Sequence, residues 1–254
     1  MGKFARFGQA LLLTAAAIAV TAGATYCAES TEDDQEIIDA NLIKRIPAGY
    51  SFVEGLRGDL NGDSIDDYVI VIKANDPKKF EFYERIGKFV DRNRRGLMIF
   101  FKTGNDYKLV LENRQCFESD HEDGGGYFAP ELWIHKIEKG NLRISYGHGR
   151  YSGWVFTFKY RHSDFELIGY DYDARNNCND EREISINFLT KKLLIRRCPD
   201  KNSMEKCGTD CCCSNLSKET WSNIIVKEPR LLRKTVDFEE LFVELDHLIY
   251  MNDK

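Results

Sequence analysis

The chain has 254 residues, of which 43% are hydrophobic and 30% charged, with a formal net charge of −5. That is enough apolar material for a sizeable core in one domain, and it places the chain outside the highly charged, weakly hydrophobic class that stays unfolded. No basic stripe occurs, and the pair Arg94-Arg95 reads as a solvated strand entry, which together argue against a nucleic-acid partner.

From the start, Lys3 and Arg6 precede an apolar run over residues 10–22, and Ala22, Gly23 and Ala24 offer the small side chains that a signal peptidase reads. Residues 1–24 are expected to be a removed signal peptide, which makes the mature chain periplasmic or secreted. The run is too short and too rich in alanine for a membrane span, which needs about 20 mostly apolar residues, so no transmembrane span is expected in the mature chain. Cys27 follows Tyr26 rather than a small residue and fits a lipoprotein box poorly. Removing Lys3 and Arg6, and no acid, takes the formal net charge from −5 to −7. Residues 25–254 are expected to form a single mainly β domain.

After an acidic, polar start, Ile37, Ile38, Leu42, Ile43 and Ile46 recur at helical spacing up to Pro47, which predicts a short amphipathic helix. Residues 50–56 read as a strand leading into the stretch Gly58-Asp59-Leu60-Asn61-Gly62-Asp63-Ser64-Ile65-Asp66-Asp67. Asp59, Asn61, Asp63, the carbonyl of Ile65 and Asp67 fall at positions one, three, five, seven and nine of a loop, the alternation of oxygen donors that a hard cation with six to eight ligands needs. Calcium is the expected ion. The loop departs from the helical calcium hand: Ser64 stands at the turn glycine and Ile70 at the bidentate glutamate. A strand succeeds the loop at residues 68–73, apolar on both alternating faces and therefore expected to be buried from both sides. The alternative is an Asp/Asn/Gly turn whose carboxylates satisfy local amides.

Residues 76–95 turn to charged side chains with Phe80, Phe82, Tyr83 and Phe89 interspersed, a surface excursion with its aromatics expected to tuck against the sheet. Then come strands joined by turn residues: 97–102 and 107–112 around Gly104-Asn105, 131–138 and 142–146 around Lys139-Gly140-Asn141, 154–160 and 165–170, 183–189 and 192–197, and a last strand at 221–227. Residues 237–250 place Phe238, Leu241, Phe242, Leu245, Leu248 and Ile249 on one stripe behind the capping residue Asp237. The expected fold is a mainly β antiparallel meander, propeller-like or a sandwich, with short terminal helices.

Two resemblances bear on this chain. Residues 52–73, with Phe52 ahead of the D-x-N-x-D loop and a core strand behind it, resemble a single FG-GAP or VCBS-type repeat, which implies a calcium-stabilised turn. The runs WVFTFKY at 154–160, FELIGYD at 165–171 and SINFLTKK at 185–192, taken with the loop, resemble a family of secreted bacterial proteins of unassigned function. That resemblance implies the fold and export and carries no catalytic residues over.

Eight cysteines are present, and an exported chain with an even number suggests disulfides. The candidates are Cys116, Cys178, Cys198, Cys207, Cys211, Cys212 and Cys213, the last four crowded with Cys198 into a Cys-rich loop at 198–213. Adjacent cysteines pair only with strain, so Cys211, Cys212 and Cys213 should look elsewhere. A thiolate metal site is the rival, although the segment lacks histidine and paired C-x-x-C spacing.

Chemistry, if present, is best sought in Glu118, Asp120, His121, Glu122 and Asp123 ahead of Gly124-Gly125-Gly126, and in His148. Those residues support one functional alternative, a cell-envelope hydrolase using His121 and Glu122 or His148. The reading preferred on sequence is non-enzymatic: a binding or structural module whose candidate ligand surface is Tyr127, Phe128, His148 and Tyr151, beside glycine-rich turns, and whose partner is an unidentified envelope protein or glycan. Tyr146, Trp133 and Trp154 lie near the same turns, and Trp133 and Trp154, on strands, read as core residues.

Overall fold

The computed structural model describes residues 39–84, 87–119, 131–147, 152–174, 182–197, 204–207, 210–213 and 218–253. The described chain is mainly β, with antiparallel sheets, and its strands close no barrel. A first sheet holds β1 (Tyr50–Gly58), β2 (Asp67–Ala74), β5 (Arg95–Thr103) and β6 (Asp106–Phe117) in that spatial order. The link from β2 to β5 carries its own small hairpin, β3 (Phe80–Tyr83) and β4 (Lys88–Asp91).

The second sheet is a meander of β7 (Glu131–Glu138), β8 (Asn141–Gly147), β9 (Ser152–Arg161), β10 (Asp164–Ala174), β11 (Arg182–Asn187) and β12 (Lys192–Arg197), closed at its edge by β15 (Lys218–Asn223). Seven strands in one sheet are not the four-stranded blades of a propeller. Of the two architectures left open by the sequence, the structure has two packed sheets. Between β12 and β15 lies a separate ladder, β13 (Met204–Cys207) with β14 (Asp210–Cys213).

The two sheets share one core. Val69, Val71, Leu97, Ile99 and Leu111 of the first meet Leu142, Ile144, Phe156, Phe158 and Leu167 of the second. Phe101 bridges them, its ring edge-on to Tyr160 at 4.7 Å and to Phe165 at 6.3 Å. Period-two alternation along β9 puts Trp154, Phe156 and Phe158 inward, as the strand pleat requires. Helix α2 (Phe238–Asn252) lies on this inner face. Its first residue, Phe238, packs on Phe117, Tyr146 and Phe156 with ring centroids 5.1, 5.9 and 5.0 Å away, and Phe242 packs on Trp154 at 4.9 Å. At the far end Ser222 donates to the Asn252 carbonyl, and Asp253 pairs with Arg197. Asp237 caps the helix by accepting the Glu239 N–H, as its position in the sequence implies.

β2 is buried on both faces, as expected. Val69 and Val71 enter the shared core, while Tyr68, Ile70 and Ile72 join Met98, Phe100, Tyr107 and Leu42 in a second cluster on the other side. Leu42 belongs to α1 (Ala40–Ile43), the single described turn of the helix predicted there; Asp39 caps it and also accepts the Tyr107 hydroxyl at 2.7 Å.

Two expectations need correction. Phe80, Phe82 and Phe89 do not tuck against the sheet: they are exposed, and Phe82 and Phe89 pack on each other at 5.4 Å because the hairpin pairs them directly. The last strand begins and ends earlier than predicted, at 218–223, because its ladder with β12 runs out at Lys192↔Asn223. The Cys-rich loop includes a hairpin, and its register sets Cys207 opposite Asp210, Cys211 opposite Lys206, Cys212 opposite Glu205 and Cys213 opposite Met204, so no cysteine faces another across this ladder.

Candidate functional site

The last paired residues of the β1–β2 hairpin are Gly58 and Asp67, so residues 59–66 form the connecting loop. Its polar side chains cap the loop's own amides in sequence. Asp59 accepts from Asn61 N at 3.2 Å, Gly62 N at 2.6 Å and Ser64 N at 2.9 Å. Asn61 accepts from Asp63 N, and Asp63 from Ile65 N, both at 2.8 Å. This Asx-turn chain forces positive φ twice, at Gly62 (85°) and Ser64 (66°). Ser64 therefore adopts the left-handed conformation that glycine supplies in helical calcium hands, at a strain of about 1–2 kcal/mol.

Asp67 behaves differently from the other acids. It is fully buried, and its two oxygens accept Leu60 N at 2.9 Å and Lys102 N at 3.0 Å, which ties the loop to β5. Burial raises its pKa, the two N–H groups oppose this without overcoming it, and the charges of Asp63 and Asp59 add to the rise. Asp59 is held below the usual carboxylate range: burial works against ionisation, and the N–H groups of Ser64, Gly62, Asp63 and Asn61 outweigh it. Asp59, Asn61, Asp63 and Ile65 thus lie in the loop, and Asp67 is the first residue of β2.

An open cleft of about 460 Å³ adjoins the loop. Asn61 and Gly62 form one side, Lys139 and Gly140 of the β7–β8 turn the other, and Lys159 and Tyr160 of β9 complete it. The two sides are braced. A Cβ on Gly58 would lie 2.9 Å from Ile137 Cβ, closer than side chains pack, so only glycine lets β1 lie against β7 here.

A second polar cluster sits at the start of α2. Among the described residues, the group of three acids whose oxygens lie within 4.8 Å of one another is Glu118, Asp237 and Glu239; Asp59, Asp63 and Asp67 form no such group. Arg94 pairs with Asp237 at 2.7 Å. Burial, and then Asp237, push Glu118 up to about 7. The neighbouring Tyr146 hydroxyl is buried without a hydrogen bond, and burial followed by the charge of Glu118 raises its pKa well above normal. This cluster was not legible beforehand, since Glu118 and Asp237 are far apart in sequence and only the helix cap was recognisable.

Cys116, one of the disulfide candidates, is a free and fully buried thiol. It lies beside Phe117 near the end of β6, and both are fully buried. His121, Glu122, Tyr127, Phe128, His148, Tyr151, Cys178 and Cys198 lie outside the described residues. No described helix is long and apolar enough to cross a membrane. Compared with known proteins, the chain matches no family model, no curated protein and no solved structure.

Proposed function

We propose that this chain is an exported, non-enzymatic β module whose β1–β2 loop binds calcium, in the manner of an FG-GAP or VCBS-type repeat, and that the ion holds the turn feeding the central strand β2. The observation that carries this reading is the loop's conformation. The donors are oxygens only, in the right order, on a backbone already wound around them, with Ser64 in the left-handed turn position. The electrostatics support it: a buried Asp67 whose ionisation is opposed by Asp63 and Asp59 is relieved by a nearby cation. Asn61 and Asp63 are the side chains that turn from their amides to present oxygen to the ion, and Asp63 is exposed, with room to do so. The ion would supply positive charge and a fixed shell at the turn.

Calcium bound only to the folded chain stabilises it by mass action, by about 2.7 kcal/mol at a hundred-fold excess over the dissociation constant. Thermal melting in calcium and in chelator tests this. The melting temperature should rise with calcium, rise less with magnesium, and fail to rise for Asp63→Ala. Identical melting of the parent in calcium and in chelator would remove the proposal.

A further inference from the structure

The cleft beside the loop has a charge pattern of its own. Lys139 and Lys159 are exposed, and among the described residues neither has an ion-pair partner. They come from different parts of the sheet, Lys139 from the β7–β8 turn and Lys159 from β9, and the register Asn141↔Lys159 brings them to one mouth. Asn61 and a single acid of the loop, Asp59, line the cleft with them.

Glycine keeps the space open. A Cβ on Gly62 would meet nothing within 4 Å, and one on Gly140 only the Asp59 carbonyl at 3.8 Å. Both glycines have positive φ, as does Lys139 at 53°, so the turn presents its lysine from a backbone that is set before any ligand arrives. At about 460 Å³ the cleft falls in the range of small-ligand sites, roughly 300–1,000 Å³.

We infer that this cleft binds an anionic saccharide of the uronate class, with Lys139 and Lys159 meeting its carboxylate and Asn61 and the loop oxygens accepting its hydroxyls. The two-sided charge selects this class. A bare polyanion such as phosphate gains from two lysines but is repelled by Asp59, whereas a neutral sugar leaves both ammonium groups without an anion. A single carboxylate on a body rich in hydroxyl donors satisfies both sides. The cleft is formed by β7, β8, β9 and the loop backbone and does not require the calcium proposal.

Isothermal titration of the full chain with galacturonate, neutral galactose and inorganic phosphate, each in calcium and in chelator, tests the inference. Lys139→Asn, which tolerates positive φ, and Lys159→Gln are the variants, with melting curves to verify folding. Galacturonate should bind, weaken with salt, and lose roughly tenfold in affinity with each variant. An affinity that the variants abolish in calcium and in chelator alike supports this inference whatever the melting test shows of the calcium loop. Absence of binding, affinity unaltered by either variant in a folded protein, or equal binding of the neutral sugar or of phosphate overturns it.

Discussion

Glu118 and Asp237 accept the same amide hydrogen: the Glu239 N–H reaches Glu118 Oε1 at 3.0 Å and Asp237 Oδ1 at 2.8 Å. Two carboxyl groups so close do not both ionise readily. Glu118 is pushed up to about 7 by burial and by Asp237, whereas Asp237 stays below its ordinary value despite burial because Glu118, Arg94 and the Glu239 N–H favour its anion. One proton therefore joins the end of β6 to the cap of α2.

The pH dependence comes from that proton. A folded carboxyl group with a raised pKa holds a proton that the unfolded chain has already lost, so its contribution is fully present below the unfolded value of about 4.3 and is lost as pH rises through about 7. Asp237, with a lowered pKa, contributes in the opposite sense and loses its share as pH falls below the ordinary aspartate range. Stability should decline between pH 5 and 7 with a slope of up to about 1.4 kcal/mol per pH unit. Denaturant unfolding at several pH values measures this, and Glu118→Gln, permanently neutral, should flatten the slope. An unchanged slope in Glu118→Gln would assign the titration to another group.

Asp67 and Asp63 should separate when each is replaced by alanine. Asp67→Ala strands the buried Leu60 and Lys102 amides and should lower stability by about 2–4 kcal/mol in calcium and in chelator alike. Asp63→Ala, at an exposed loop position, should alter the calcium response and leave the stability in chelator nearly as it was. Equal behaviour of the two variants in urea unfolding would contradict the anchoring role of Asp67.

Gly96 sits at a bulge where β5 crosses close to β6, and a Cβ there would lie 2.2 Å from the Asn113 carbonyl oxygen. Backbone cannot yield as a side chain tip does. Gly96→Ala should therefore destabilise by about 1–3 kcal/mol or more, seen as a lower urea midpoint, although alanine is the better residue in an unstrained strand.

Cys116 should resist modification. Burial raises its pKa far above that of a free thiol, so little thiolate forms near neutral pH. A thiol reagent should label it only after denaturation, and rapid labelling of Cys116 in the folded chain, mapped by mass spectrometry, would contradict the packing around Phe117.

What the sequence determined by itself was local. The turn dipeptide Lys139-Gly140 and the alternation of Trp154, Phe156 and Phe158 are properties of consecutive residues, and the strands β7, β9 and β12 lie where those patterns put them. The order of oxygens from Asp59 to Asp67 is local in the same sense, because each side chain caps an amide two or more residues ahead. Tertiary structure decided the rest. Asp67 is an anchor because β5 brings in the Lys102 amide, 35 residues away, and Glu118 shares a proton because α2 returns across the sheet, 121 residues from it to the Glu239 amide. Phe82 and Phe89 illustrate the converse: hydrophobicity alone predicts burial, but a hairpin that pairs its two strands with each other leaves these rings exposed and packed on one another. Periodicity reports which face of an element is apolar; which distant groups meet across that face depends on how the sheets stack, and no run of neighbouring residues encodes it.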